Sequence, residues 1–175
     1  MRRALVAAAL VAAVALMSAL ATLAVAGRSL TQRTGSLVLD VVIKSQAATK
    51  STSSTDWRNV PGSRIEVEVP QGQFSILLAR FSGTSDCPVD FGGIANCHLR
   101  IMVGKKQMHP RGVTIFDSTN AQSGDDLQEA HMIERSIGPL KPGTYVVRAQ
   151  WRTSDEAHPF VLRGWHLTVE RIRAD

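Results

Sequence analysis

At 175 residues, with 44% hydrophobic and 20% charged residues, the chain is too apolar for a disordered protein and is about one domain in size. Twenty basic residues against fifteen acidic ones give a formal charge of +5, and two cysteines are too few for a disulfide-dense scaffold. The charges alternate in sign without a basic block, which argues against nucleic acid as a partner and leaves attraction to anionic envelope polymers as the functional reading of the excess.

Arg2 and Arg3 open the chain and an Ala/Val/Leu run follows from Ala4 to Ala26, broken by Ser18 and Thr22. A basic start before a long apolar stretch is an export signal, and Ala24-Val25-Ala26 offers small residues for cleavage before Gly27. The run is also long enough as a helix, roughly 34 Å at ~1.5 Å per residue, to cross a bilayer core of ~30 Å. Residues 1–26 are therefore read as a signal peptide, with an uncleaved N-terminal membrane anchor as the alternative. Both readings put the domain outside the cytoplasm, through the general secretory route. Losing the segment removes Arg2 and Arg3 and no acid, lowering the formal charge to +3.

Residues 27–35 read as a spacer and 36–175 as one β-domain. Ser36–Ile43 is a β-branched run. Residues 44–56 hold seven Ser or Thr in thirteen positions with no large apolar group, which predicts a flexible segment. Arg64–Val69 alternates, Ile65, Val67 and Val69 against Arg64, Glu66 and Glu68, as a strand wet on one face does. Gln73–Ser82 is apolar on both faces and reads as a central strand.

Cys87 and Cys97 enclose nine residues containing Pro88, Gly92 and Gly93. In an exported chain that pattern predicts a structural disulfide, and no C-x-x-C redox spacing is present. Cys97, Leu99, Ile101 and Val103 then alternate with His98, Arg100 and Met102, and Gly104-Lys105-Lys106 makes a hairpin tip. Val113–Phe116 is a short strand and residues 117–126 a polar loop. Leu127–Ile137, set between strands and closed by Gly138-Pro139, reads as another strand. Thr144–Arg152 places Tyr145, Val147, Ala149 and Trp151 on one face. Phe160–Ile172 closes the domain with a bend or bulge at Gly164. Together these segments predict an all-β sandwich, jelly-roll-like, of about eight strands, following the N-terminal export helix.

The chain carries no nucleophile elbow, H-E-x-x-H, P-loop or dinucleotide-binding motif, so no catalytic residue and no cofactor is expected. His98, His109, His131, His158 and His166 are scattered without metal-ligand spacing. Asp117, Asn120, Asp125 and Asp126 are a weak calcium candidate, because Gln122 and Gln128 stand where a calcium-binding EF-hand loop needs Gly and Glu. The competing reading of that stretch is a hydrophilic loop with Asx-type turns. Trp57, Trp151 and Trp165 offer a sugar-stacking platform if exposed, but Trp151 and Trp165 alternate in phase with core positions and Trp57 is expected to cover an end of the core.

The order of short motifs is familiar. Trp57–Gly62, Ala79–Cys87 and Cys97–Ile101 are followed by Phe116–Ser118, Glu134–Ser136 and Pro142–Val147. This arrangement resembles small exported β-domain proteins of actinobacteria, over most of residues 57–172. The resemblance implies the same exported β-fold and transfers no catalytic residue. The expected function is an exported, non-catalytic module binding a protein or glycan at the cell envelope or outside the cell, or a second copy of itself. The alternative is a secreted hydrolase whose site is assembled from distant residues such as Asp117, His131 and Ser136.

Overall fold

A computed structural model describes residues 30–32, 37–89, 94–120 and 128–174. The export run, most of residues 27–35, Asp125 and Asp126 lie outside them. Twelve strands are present among the described residues, all paired antiparallel in two sheets stacked as the expected β-sandwich.

The first sheet contains β1 (Leu30–Gln32), β2 (Val38–Gln46), β3 (Lys50–Thr52), β6 (Phe74–Asp86), β10 (Glu129–Leu140) and β12 (Phe160–Ala174). Its order is β1-β2-β12-β6-β10, with β3 on the same edge of β12 as β2. The second contains β4 (Arg58–Asn59), β5 (Ile65–Val69), β7 (Ile94–Val103), β8 (Lys106–Gln107), β9 (Ile115–Asn120) and β11 (Gly143–Thr153). There β11 pairs with β7, β4 and β5 share the free edge of β11, and β8 and β9 share that of β7. Several short strands are thus consecutive pieces of one interrupted ribbon, which explains why more strands are seen than the turn signals suggested.

Period-2 alternation builds the core. Leu77, Ala79 and Phe81 of β6 and Trp165, Leu167 and Val169 of β12 point inward from the first sheet; Leu99 and Ile101 of β7 and Val147, Ala149 and Trp151 of β11 meet them. Phe81 stacks on Trp165 at 5.7 Å between centroids and meets Phe116 edge-on at 5.8 Å. Trp151 and Trp165 are therefore core residues, as their phase predicted. The register of β12 against β6 slips between Leu162 and Gly164, the bulge expected at Gly164. At that slip the β6 backbone comes so close that a Cβ on Gly83 would lie 2.8 Å from the Gly164 carbonyl oxygen. Cys87 and Cys97 are bonded, with Cα atoms 5.9 Å apart, and both are buried.

Three expectations are corrected. Residues 44–56, read as a flexible segment, are in part strand: Lys44–Gln46 end β2 and Lys50–Thr52 form β3, paired to Trp165–Leu167 and Phe160–Leu162 of β12. Pairing in a sheet satisfies the backbone whatever the side chains are. The hydroxyls then close local turns, Thr52 Oγ1 accepting from Ser54 N–H at 3.3 Å and Ser54 Oγ from Asp56 N–H at 3.2 Å. Composition read as disorder was here turn chemistry. Leu30–Gln32, within the stretch read as spacer, pairs with Val41–Ile43 as an edge strand. Residues 117–120 continue strand β9 where a loop was expected.

Candidate functional site

The outward positions of β7 and β11 carry the most polar chemistry of the second sheet. With Leu99, Ile101, Ala149 and Trp151 pointing into the core, strand alternation sends His98, Arg100, Arg148, Gln150 and Arg152 to the opposite face. The register then sets Gln150 directly opposite both Arg100 of β7 and Asn59 of β4. A chain of hydrogen bonds follows this rung: Arg100 Nε donates to Gln150 Oε1 at 2.9 Å, and Gln150 Nε2 donates to Asn59 Oδ1 at 2.9 Å. Arg152 stands opposite His98, so Arg148 and Arg152 flank Arg100 diagonally.

Trp57 lies over this face. The Arg100 guanidinium carbon is 4.1 Å from the indole centroid and that of Arg152 is 5.0 Å. Trp57 as a residue is half-buried. Its placement depends on residues 53–57, which cross from the first sheet to the second. Thr153 N–H donates to the Ser54 carbonyl at 3.0 Å and Arg152 Nη1 to the Thr55 carbonyl at 3.4 Å. Trp57 was expected at an end of the core and is found on the outside of a sheet instead, because the crossing segment is pinned to β11 before β4 begins.

The electrostatics of the face are one-sided. Burial, then repulsion from Arg152 and Arg148, holds the Arg100 guanidinium below its ordinary pKa. Burial also lowers His98, helped by the charge of Arg152 and opposed by a hydrogen bond to the Thr114 backbone. His98 Nδ1, Arg148 Nε and Arg152 Nε are buried without a hydrogen-bond partner. Arg148 Nη2 donates to the Gly104 carbonyl at 2.9 Å.

A second polar cluster sits between the sheets. The register of β9 against β7 slips between Cys97 and His98, and the bulge turns both Phe116 and Asp117 inward. Buried Asp117 accepts a hydrogen bond from Ser85 Oγ at 2.6 Å. Its other oxygen lies 3.7 Å from His131 Nε2, which is 3.4 Å from Glu129. The structure thus brings together two of the three residues picked for a hydrolase. Ser136 is not with them: it pairs with Leu78 on β6, in phase with positions of the outer face, and its backbone is bridged to His109. The hydroxyl that does reach Asp117, that of Ser85, is fully buried, which closes it to a substrate.

Of the calcium candidate, Asp117 on strand β9 accepts from Ser85 and Asn120 is the last residue of that strand, while Asp125 and Asp126 lie outside the described residues. Among the described residues no group of three or more His, Cys, Asp or Glu side chains is arranged to hold a metal ion. His158 pairs with Asp155 at 3.1 Å and His166 with Ser45 at 2.7 Å, while His109 lines a groove of about 670 Å³ with Lys105, Lys106, Arg111 and Lys141.

No protein-family model matches the chain, and no curated protein does. Among solved structures it is similar to dimeric latent PorU from Porphyromonas gingivalis, with a TM-score of 0.52 and 12% identity over 84% of this chain. The chain spans only 14% of that protein. It is also matched to the CBM22-1 xylan-binding domain of Xyn10C from Paenibacillus barcinonensis, with a TM-score of 0.32, 6% identity, and 86% and 85% of the two chains covered. A third match is the carbohydrate-binding module CBM6cm-2 of lichenase 5A from Cellvibrio mixtus, in complex with cellotriose, with a TM-score of 0.28, 16% identity, and 86% and 88% covered. At 12% identity the likeness to PorU is one of fold alone.

Proposed function

We propose that the chain is an exported, non-catalytic binding module that works at the cell envelope or outside the cell and takes a saccharide chain across the outer face of its second sheet. The observation that carries this reading is the position of Trp57, an indole held over the outside of a sheet and not inside the core. An aromatic ring on an open face offers an apolar plane for the C–H side of a sugar ring, and fixed amides and guanidiniums beside it supply hydrogen bonds to hydroxyls. Gln150 and Asn59 are ordered in that way by the rung they share with Arg100. The export run and the buried Cys87–Cys97 bridge support an oxidising compartment.

The test uses the mature chain beginning at Gly27 and its Trp57→Ala variant on immobilised envelope polysaccharide. Native protein is expected to be retained, and the variant to lose about tenfold in affinity, in line with ~1–3 kcal/mol for one buried aromatic contact. Retention unaffected by the substitution would refute the assignment of this face.

A further inference from the structure

Resting on the reading of this face as a binding surface, we infer that Arg100, Arg148 and Arg152 make it selective for acidic saccharides, those carrying carboxylate or phosphate groups, over neutral ones. The three residues come from adjacent strands, Arg100 and Arg152 against the Trp57 indole and Arg148 diagonal to Arg100 on the same face. Their side-chain partners are neutral: Arg100 donates to an amide, Arg148 and Arg152 to backbone carbonyls. Among the described residues no carboxylate lies within 4.0 Å of any of them. Several arginines elsewhere on this fold are paired with carboxylates, Arg80 with Glu134 at 2.6 Å and Arg163 with Asp86 at 3.0 Å, whereas Arg135, like the cluster, donates to neutral oxygens. On the same face Glu66, opposite Val146, pairs instead with Arg64 at 2.8 Å, and Glu68 stands a rung further along, opposite Thr144.

Concentrating three like charges without an internal counter-charge costs stability through mutual repulsion. A bound anion removes that cost and gains charge-assisted hydrogen bonds, for which the planar guanidinium fork fits both carboxylate and phosphate oxygens. The unpartnered Nε donors of Arg148 and Arg152 belong to the same two side chains. Stacking on Trp57 orients the Arg100 plane in advance, so that less side-chain entropy is lost on binding.

Binding of the mature chain is measured against three probes: polygalacturonate for carboxylate, a phosphomannan for phosphate, and a neutral galactan. The expected result is binding to at least one anionic polymer about tenfold or more tighter than to galactan, weakening as salt rises. Whichever anionic probe binds better identifies the source of the charge. The variant pair R100Q/R152Q should lose about tenfold on the anionic probe, and R148Q, which leaves the indole stack intact, should lose a smaller factor in the same direction. The pair K44Q/R173Q, on β2 and β12 of the first sheet, removes the same charge and should change affinity by less than about twofold, since those charges act on the second sheet only through solvent, where screening sets in over a Debye length of ~8 Å. Equal losses in the two pairs would mean diffuse attraction and overturn the inference. Galactan bound as tightly as the anionic probes, and still dependent on Trp57, would overturn the inference while leaving the saccharide-binding reading in place. Failure to bind all three would overturn both. Far-ultraviolet circular dichroism of each variant confirms that the comparison is between folded proteins.

Discussion

Gln150 on β11 stands directly opposite Arg100 on β7, and its side-chain oxygen accepts the Arg100 Nε hydrogen at 2.9 Å. A carboxylate at this position would close an ion pair. The amide instead fixes the guanidinium while leaving its charge uncompensated, and Trp57 lies over the result at 4.1 Å. The rung therefore orders a cation on a sheet surface without neutralising it.

Trp57 and Arg100 should be energetically coupled. A cation–π contact of this kind contributes about 0.5–2 kcal/mol, more where it is shielded from water. A double-mutant cycle with Trp57→Ala and Arg100→Gln, read from urea unfolding, should return a coupling of about 1 kcal/mol. Additive single effects would show that the stack contributes nothing to the fold.

Removal of the Cys87–Cys97 bridge should destabilise the domain by about 3 kcal/mol, on the chain-entropy estimate for a loop this short. The doubly substituted Cys87→Ser/Cys97→Ser protein, compared with the native one by its urea midpoint, measures this. Both sulfurs are buried in the core, so the serines also place two hydroxyls among apolar side chains and push the loss in the same direction.

Asp40 and Arg171 form an ion pair across β2 and β12, and Arg171 is only 8% exposed. Arg171 Nη1 also donates to Gln73 Oε1 at 3.1 Å. Asp40→Ala leaves a buried guanidinium without its counter-charge and should cost about 3 kcal/mol, measured by chemical denaturation. The double variant Asp40→Ala/Arg171→Met should recover most of that loss, because the stranded charge is gone.

Acid should weaken the fold partly through His98. Its pKa is lowered in the folded protein by burial and by Arg152, so the unfolded chain binds the proton more readily. The contribution is fully present above the unfolded value of about 6.5 and is lost as pH falls through the lower folded value. His98→Gln should therefore flatten the fall in stability between pH 7 and pH 5 relative to the native protein. Parallel curves for the two proteins would contradict the assignment.

Much of this molecule is legible along the chain. Alternation in Ile65–Val69, Cys97–Val103 and Thr144–Arg152 identifies strands and their buried sides, because a pleated strand sends successive side chains to opposite faces. The same alternation already places His98 and Arg100 on one outer face, and Arg148, Gln150 and Arg152 on another. The nine residues between Cys87 and Cys97 suffice to predict their bridge. Three things are decided only in three dimensions. The pairing of β7 with β11, about fifty residues apart, brings Arg100 between Arg148 and Arg152, and nothing local encodes that register. The Ser/Thr-rich residues 44–56 become strand and crossing because β12 offers an edge to pair with, a partner composition cannot reveal. Trp57 comes to rest on guanidiniums and not in the core because that crossing is pinned at Ser54 to Thr153. Local sequence determines which way each side chain points; long-range pairing determines what it meets there.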